Sequence, residues 1–488
     1  GISGPGEATV GLYFDNIPLT GNGEDAADFG GGQPDLEMFD TQQVEVLRGP
    51  QGSLYGASSV SGVVRIVSNK PDASAFDSRL QLDVGAVTEG GENFSLKGMI
   101  NVPLLDDRVA FRGVGYVVED DGYIDNIYLM KDPACYGRGD SFGLSTPEIT
   151  LSPACDDGSS NLPDVNHHTR RGVRAMIQSE TDQSTYLGQF FYQEVETGGR
   201  NGFNPHDSEY FIGPPFAAGG RRYFTPATGE GYVTNVRGHE PYAEEMAILA
   251  FDMTRNLEWA DFTLSASYMD RDAHSRLDSS SPARLHRRFH ECVAGPCGGT
   301  GLGPWGSARV APTDHVNNEQ FLGGKTTTLE ARLASNLDGR LNYLAGFFYI
   351  DRTLDVKSTA TITDPRTGFD LPEHGLNLDR VAENKTKQSA FYGELYFDVT
   401  DQWQLLGGVR SFSTDRNQYS NLIVPFAQSV PIGGPPGVEE NLPSSESDTI
   451  FKTQVTYSPT ENHLFYLQMA DGFRAGGINP RIVPNIPD

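Results

Sequence analysis

The sequence predicts an all-β chain whose larger part is a transmembrane antiparallel β-barrel. From about Arg79 onward, long segments alternate between polar and apolar side chains, which is the pattern of strands. Paired segments are joined by very short turns at one end and by long loops at the other. No apolar run reaches the ~18 residues that a membrane-spanning helix needs. Strands with one apolar and one polar face are therefore the elements expected to cross a membrane.

The clearest strand pair is "AFYGELYFDVTDQWQLLGGVRSF". One face of its first strand is apolar, formed by Phe391, Gly393, Leu395, Phe397 and Val399. The other face carries Tyr392, Glu394, Tyr396 and Asp398. After a turn at Thr400-Asp401, the apolar face continues through Trp403, Leu405, Gly407 and Val409, opposite Gln404 and Arg410.

Short turns and long loops recur along the chain in the same order. The turns are predicted at Asp106-Asp107, Thr181-Asp182, the Asn256 region, Asp338-Gly339 and Pro459-Thr460. The loops are predicted at 121–168, 197–241, 274–320, 356–383 and 418–446. This asymmetry is typical of outer-membrane barrels, and it gives about thirteen strands.

Two soluble β folds are alternatives to the barrel. A β-propeller repeats at a near-constant period, whereas these strand pairs vary in spacing. A β-sandwich rarely has so many long strands in one domain. A barrel also removes the unpaired sheet edges that lipid does not tolerate. Because bacterial barrels have an even strand count, the C-terminal strands are expected to be missing from this sequence.

Composition limits the function further. The 488 residues carry 37 Lys and Arg against 65 Asp and Glu, a formal net charge of -28. Such a polyanion repels nucleic acid, so a nucleic-acid-binding function is excluded. The chain starts with Gly1 rather than Met, so we expect a fragment, and the lack of a signal peptide does not indicate a cytoplasmic protein.

The four cysteines all lie in irregular stretches rich in Gly, Pro or Asp. They are Cys135, Cys155, Cys292 and Cys297. An even count in loops favours two local disulfides made in an oxidising compartment, and the spacing leaves their partners undetermined.

The stretch "VEVLRGPQGSLYGASSVSGVVRIVSNKP", residues 44–71, places a glycine-rich turn between two short apolar runs. A phosphate-binding loop is one interpretation, but neither a P-loop nor a dinucleotide-binding spacing occurs between Gly49 and Gly62. The alternative is a compact unit whose glycines allow tight turns and close backbone contact.

This stretch resembles, nearly position by position, the end of the plug domain of TonB-dependent outer-membrane receptors. "VGLYFDNIPLTG" before it is similar to a plug strand of that family, and "AFYGELYFDVTDQWQLLGGVRSFSTD" and "VTYSPTENHLFYLQMADGFRAGGINP" are similar to its barrel strands. The resemblance implies the C-terminal part of a plug domain over 1–75 and a barrel over 76–488. The complete family barrel has about 22 strands around the plug, and this one is expected to be truncated.

The resemblance also implies a function, which is energy-dependent import of a scarce bulky nutrient, foremost a ferric siderophore. The implied partners are the TonB complex of the inner membrane, outer-membrane lipid and a small-molecule ligand. No cofactor, metal or catalytic group is expected. The coupling segment (the TonB box), the first half of the plug and about nine strands are absent from these residues, and Arg65 replaces a small or amide residue of many relatives. Alternatives are a non-iron ligand (glycan, cobalamin, haem or an aromatic compound) and a structural or adhesive barrel.

Arg48 and Glu394 are the candidate pair between plug and barrel. An arginine facing the lumen needs a carboxylate, and Glu394 lies on the polar face of its strand. We therefore expect an Arg48 to Glu394 ion pair, which is either a latch released during transport or a purely structural contact.

The long loops carry the candidate ligand-binding residues. Aromatic side chains suit planar chelates, and arginines suit an anionic ferric chelate, although both also fit ordinary loop packing. These candidates are Tyr210, Tyr223, Phe224, Arg284, Arg287, Arg288 and Trp305. His286 and His290 lie close to Cys292 and Cys297, but their spacing matches no metal-binding motif, and a small disulfide loop is the simpler interpretation.

Overall fold

The structure is a computed structural model. It describes residues 8–20, 33–105, 107–126, 162–201, 208–212, 221–225, 232–234, 239–278, 315–363, 376–423 and 437–473. Among these residues no helix is long and apolar enough to cross a membrane.

The N-terminal part is a small sheet with one short helix, here termed the plug (residues 8–68). Its elements are β1 (Val10–Phe14), β2 (Ile17–Pro18), β3 (Thr41–Arg48), α1 (Gly52–Tyr55) and β4 (Gly62–Ser68). The strand order is β2-β1-β4-β3, with β1 parallel to β4 and β3 antiparallel to it. Strand β3 is therefore an edge strand, and most of its side chains are exposed.

Gly62 begins β4 at a close approach of two backbones. Its φ is +149°, and a Cβ added there would lie 2.4 Å from the carbonyl oxygen of Leu47. We expect Gly62→Ala to destabilise the plug by about 2 kcal/mol, because the backbone of β3 has to shift. Proteolysis of the plug in the folded full-length protein measures this effect. Gly85→Ala is the control, since nothing lies within 4 Å of the Cβ built at Gly85. Equal plug proteolysis in the two variants would contradict the prediction.

The remaining strands follow in chain order. They are β5 (Asp77–Ala86), β6 (Glu92–Leu105), β7 (Val109–Asp120), β8 (Asp125–Asn126), β9 (His168–Glu180), β10 (Ser184–Thr197), β11 (Ser208–Ile212), β12 (Arg221–Thr225), β13 (Val233–Thr234), β14 (Tyr242–Asn256), β15 (Ala260–Asp278), β16 (His315–Ser335), β17 (Leu341–Thr363), β18 (Leu376–Thr400), β19 (Trp403–Ile423), β20 (Gly437–Thr460) and β21 (His463–Ala470).

Thirteen of these strands form one sheet within the described part of the chain. Each strand pairs with the next one along the chain, and β8 and β11–β13 lie outside the sheet. β5 and β21 are its two edges. The predicted all-β barrel architecture, the strand count and most of the short turns are confirmed. The last turn falls at 461–462, just after the predicted Pro459-Thr460, and Asp106 of the first predicted turn lies outside the described residues.

The long loops are shorter than predicted, because several strands extend far beyond the alternating segments. β17 continues to Thr363 and β18 begins at Leu376, where a loop was expected over 356–383. β19 continues to Ile423 and β20 begins at Gly437. The extensions carry polar residues on both faces, so their sequence lacks the alternation of apolar and polar side chains that predicts a strand. Continuous pairing with the neighbouring strand keeps them extended.

The two faces of the sheet differ as the alternation predicts. The outward face is apolar and exposed, with Leu80, Val84, Leu249 and Phe391 each more than 60 % exposed. The inward face carries many buried polar and charged side chains, among them Arg112, Arg174, Glu394 and Arg410. An apolar exterior around a polar interior is the arrangement of a barrel in lipid.

Candidate functional site

The candidate site is the interface between the plug and the inner face of the barrel wall. Its apolar part joins β1, β2 and β4 to strands β10, β14 and β15. The plug contributes Phe14, Ile17, Leu19, Leu36 and Ile66, and the wall contributes Phe191, Met246, Ile248, Ala250 and Met269. The rings of Phe14 and Phe191 lie 5.6 Å apart between centroids. This contact removes apolar surface from water and supports the plug against one part of the wall.

Asp40 is the centre of a buried charged cluster on a second part of the wall. It has a φ of +60°, which aspartate tolerates, and it ends the irregular segment before β3. Its Oδ2 accepts hydrogen bonds from Arg112 Nε at 2.8 Å and from Arg174 Nη2 at 2.9 Å. Arg112 also donates to Oδ1, and Arg174 donates to the Asp40 carbonyl at 2.9 Å. All three side chains are buried.

Asp35 and Glu37 extend this cluster toward the rim. Lys97 Nζ lies 2.8 Å from Glu37 Oε1, and Arg170 Nη1 lies 3.0 Å from Glu37 Oε2. Arg170 also pairs with Asp35, whose carboxylate is 3.4 Å from His168 Nε2. We term Asp35, Glu37 and Asp40 the acidic segment. It is held by cations on β6, β7 and β9, so plug acids face barrel bases.

The strands place these cations inward by their alternation. Arg170 and Arg174 lie four residues apart on β9, on the side that also buries Met176. Arg112 lies on β7 directly opposite Met176 in the strand pairing, two residue pairs from Arg174 and on the same face. A one-residue shift of either strand would turn its cations to the outward face of the sheet, so the register of the sheet determines the site.

The neighbouring charges set the pKa of the plug acids. Burial raises the pKa of Asp40, but the hydrogen bond and the positive charge of Arg112, with Asn69 and Arg174, outweigh it and leave that pKa below its ordinary value of 3.8. A hydrogen bond from His168 is the main cause of the lowered pKa of Asp35, and burial partly opposes it.

These shifts predict how plug anchoring depends on pH. A carboxylate whose pKa is lower in the folded protein stabilises it fully above the unfolded-state pKa, which is about 3.9 for aspartate. That contribution is lost as the pH falls below about 4 and through the folded-state values. We expect plug proteolysis in the folded barrel to be constant from pH 7 to about pH 5 and to rise below pH 4. An acid-resistant protease measures it, and a rise centred near the histidine pKa would contradict the prediction.

Glu394 makes a separate contact between the barrel and α1. Its Oε1 lies 3.1 Å from Lys452 Nζ and accepts a hydrogen bond from Ser53 Oγ at 3.1 Å. Tyr396 donates to Oε2 at 2.6 Å. The Glu394 side chain is 1 % exposed and that of Lys452 is 9 % exposed. Glu394 thus holds a plug hydroxyl and a barrel ammonium together.

The expected ion pair between Arg48 and Glu394 is not formed in this structure. Arg48 is the last residue of the edge strand β3, and its side chain is exposed. An exposed guanidinium is solvated by water and needs no buried carboxylate. The partner of Glu394 is Lys452, a barrel cation that the sequence analysis did not single out.

Arg410 lies two residue pairs from Glu394 along the same wall and is 1 % exposed. Its Nη1 is 3.4 Å from the Leu54 carbonyl oxygen of α1. Its guanidinium carbon lies 5.5 Å from the ring centroid of Phe348 and 5.5 Å from that of Tyr392. A Cβ at Gly56 would lie 2.9 Å from Arg410 Nη2, so glycine lets the plug turn approach the guanidinium.

The loop candidates are only partly covered by the structure. The backbone pairs Tyr210 with Tyr223 and Glu209 with Phe224 in the small hairpin β11–β12. The other candidates lie outside the described residues, namely Arg284, Arg287, Arg288, Trp305, Cys135, Cys155, Cys292 and Cys297. Within the described residues, no group of three or more His, Cys, Asp or Glu is placed to hold a metal ion.

Family models match both parts of the chain. The TonB-dependent receptor plug domain matches residues 1–63, and the TonB dependent receptor-like β-barrel matches residues 177–487. Pesticin receptors of Yersinia enterocolitica and Yersinia pestis are each 38% identical over 482 residues, covering 97% of this chain and 53% of the relative. The chain therefore spans about half the length of the curated relatives it matches.

Solved structures share the fold. The ferric yersiniabactin uptake receptor FyuA from Yersinia pestis superposes with a TM-score of 0.62 at 16% identity, covering 98% of this chain and 57% of that chain. The pyoverdine outer membrane receptor FpvA from Pseudomonas aeruginosa, bound to pyoverdine, gives 0.62 at 15% identity, covering 96% and 56%.

Proposed function

Because the chain belongs to the TonB-dependent receptor family, we propose that it imports a ferric siderophore complex across the bacterial outer membrane. The family consists of outer-membrane transport receptors rather than enzymes. The names of the similar proteins support this ligand class: one is a ferric yersiniabactin uptake receptor, and another is a receptor bound to pyoverdine. We assign the chain no cofactor and no nucleic-acid partner.

The observation that carries the proposal is a plug fixed to the barrel wall by buried charges. Asp40 with Arg112 and Arg174 forms one contact, and Glu394 with Lys452 and Ser53 forms another. Removing one partner of a buried ion pair typically costs about 3–5 kcal/mol, several times the thermal energy. Passage of a bulky ligand then requires work on the plug, and we assign that work to the TonB complex of the inner membrane.

The remaining assignments follow from this arrangement. The apolar outer face contacts outer-membrane lipid. We keep the boundary between plug and barrel at 75/76, within the segment between Ser68, the end of β4, and Asp77, the start of β5. The ligand binds at the long loops, with Tyr210, Tyr223, Phe224, Arg284, Arg287, Arg288 and Trp305 as candidate contacts. Cys135, Cys155, Cys292 and Cys297 remain disulfide candidates.

Uptake of radioactive iron by whole cells tests the proposal. The full-length receptor is expressed in a strain that lacks its own receptor, and the cells are supplied with iron chelated by culture supernatant of the iron-starved native host. We expect uptake well above the empty-vector control, and loss of uptake when a protonophore removes the energy source. Abundance of the receptor in outer-membrane fractions should rise when the host is iron-starved.

Two outcomes would overturn the assignment. Uptake equal to that of the empty vector, with unchanged abundance on iron starvation, would favour a glycan, cobalamin, haem or aromatic ligand. Absence of any energy-dependent uptake across these ligands would favour a structural or adhesive barrel.

A further inference from the structure

Arg410 is a buried cation that has no carboxylate within ion-pairing distance among the described residues. It lies on β19 with its side chain on the inward face, and it is 1 % exposed. Within the described residues no ion pair of Arg410 occurs, and its Nε has no hydrogen-bond partner. A buried charge without a counter-charge is costly, so such an arrangement calls for a reason beyond packing.

The other buried cations at the plug–barrel interface differ from Arg410 in that each has a carboxylate partner. Arg112 and Arg174 both pair with Asp40, and Lys452 pairs with Glu394. Glu330, an acid three strands away on β16, accepts a hydrogen bond from Tyr392. The carboxylates around Arg410 are therefore already engaged by other groups.

The plug covers the guanidinium on the side that faces the lumen. Among the described residues, the hydrogen bond that Arg410 donates goes to the Leu54 carbonyl, at the long distance of 3.4 Å, and Gly56 packs against Nη2. The rings of Phe348 and Tyr392 belong to barrel strands β17 and β18 and not to the plug, so a movement of the plug does not by itself displace them. Withdrawal of residues 54–56 would expose a rigidly framed cation to the lumen. The cation–π contacts with these two rings would hold the guanidinium in its present position.

We propose that Arg410 is an anion-binding position on the translocation path, uncovered when residues 54–56 leave the wall, and that it binds carboxylate or other anionic groups of the passing chelate. The inference rests on the proposed import function. It adds a binding position inside the barrel to the external loop candidates. A guanidinium presents a planar pair of donors that matches a carboxylate, whereas the engaged acids Glu330 and Glu394 would repel one.

Ion selectivity of the opened receptor tests the position without knowledge of the native ligand. The full-length protein is reconstituted in a planar lipid bilayer, and urea releases the plug while the continuous barrel strands persist. Reversal potentials in a KCl gradient give the ratio of potassium to chloride permeability. We expect Arg410→Gln to raise this ratio by roughly twofold and Arg410→Lys to leave it unchanged. Citrate, a free tricarboxylate, should reduce the current through wild type and the lysine variant but not through Arg410→Gln.

Lys387→Gln is the matched control. It removes a cation from the adjacent strand β18, but its side chain is 59% exposed on the outward face, where it pairs with Asp351. The control should behave as wild type. The proposal is overturned if Arg410→Gln leaves both selectivity and citrate block unchanged, because Arg410 is then neutralised or covered in the open state. It is also overturned if urea opens no conducting path. A selectivity shift in a receptor that imports no iron would refute the proposed function and leave the anion position standing.

Discussion

Replacing Asp40 by alanine should release the plug from the β7–β9 wall while the barrel remains folded. The variant leaves Arg112 and Arg174 buried without their shared carboxylate, and breaking a buried pair from one side costs about 3–5 kcal/mol. We expect the plug to become protease-sensitive and the urea midpoint of plug release to fall steeply. Limited proteolysis of the reconstituted full-length protein, followed by separation of plug and barrel fragments, measures both.

Asp72→Asn is the control for this variant. Asp72 is an acid beside the barrel in the segment between β4 and β5, and among the described residues its carboxylate accepts hydrogen bonds from the Ser74 backbone N–H and hydroxyl. The backbone of Asp72, rather than its side chain, contacts Asn101 of the barrel. Similar proteolysis of the two variants would show that the Asp40 cluster does not anchor the plug.

Glu394→Gln should weaken the contact between α1 and the barrel, with a loss of free energy comparable to that of Asp40→Ala. The substitution leaves the Lys452 ammonium buried without a carboxylate and weakens acceptance from Ser53, for an expected loss of about 3–5 kcal/mol. Adding Lys452→Met removes the orphaned charge, so the double variant should recover most of the loss. Urea titration of plug release in the full-length receptor measures the stability of the plug in wild type, in Glu394→Gln and in the double variant.

Arg48→Ala supplies the comparison. Because Arg48 is exposed and forms no ion pair with Glu394, its loss should change plug stability by no more than about 0.5 kcal/mol. A large loss of plug stability in Arg48→Ala together with a small loss in Glu394→Gln would contradict the contacts described for these two residues.

The strands of the barrel could be predicted because their signal is local. Period-two alternation gives the inward position of Glu394 and Arg410, and short polar turns mark where each strand ends. The polar upper extensions of β17 to β20 could not be predicted in this way. They are held extended by pairing with neighbours rather than by an apolar face.

The contacts between plug and barrel depend on distant parts of the chain. Asp40 meets Arg112 and Arg174 across separations of 72 and 134 residues, and no local pattern specifies such a meeting. Two partial signals were present: the acidic run "PDLEMFD" before β3, and cations on the polar face of β9. The Arg48 prediction failed because resemblance locates a residue in the chain, whereas its exposure depends on β3 being an edge strand.

The long strands determine how far the mouth of the barrel extends from its apolar band. β18 contains 25 residues, which at about 3.4 Å each gives about 85 Å of extended chain. Tilted by about 45°, that length still reaches about 60 Å, roughly twice the ~25 Å apolar band of an outer-membrane barrel. In the proposed outer-membrane setting, a collar of paired strands therefore rises tens of ångströms above the bilayer. This height is several times the ~8 Å screening length of physiological salt. Under the proposed import function, the mouth of the receptor therefore samples bulk electrolyte, and the charge of the lipid headgroups has little influence on which chelates arrive there.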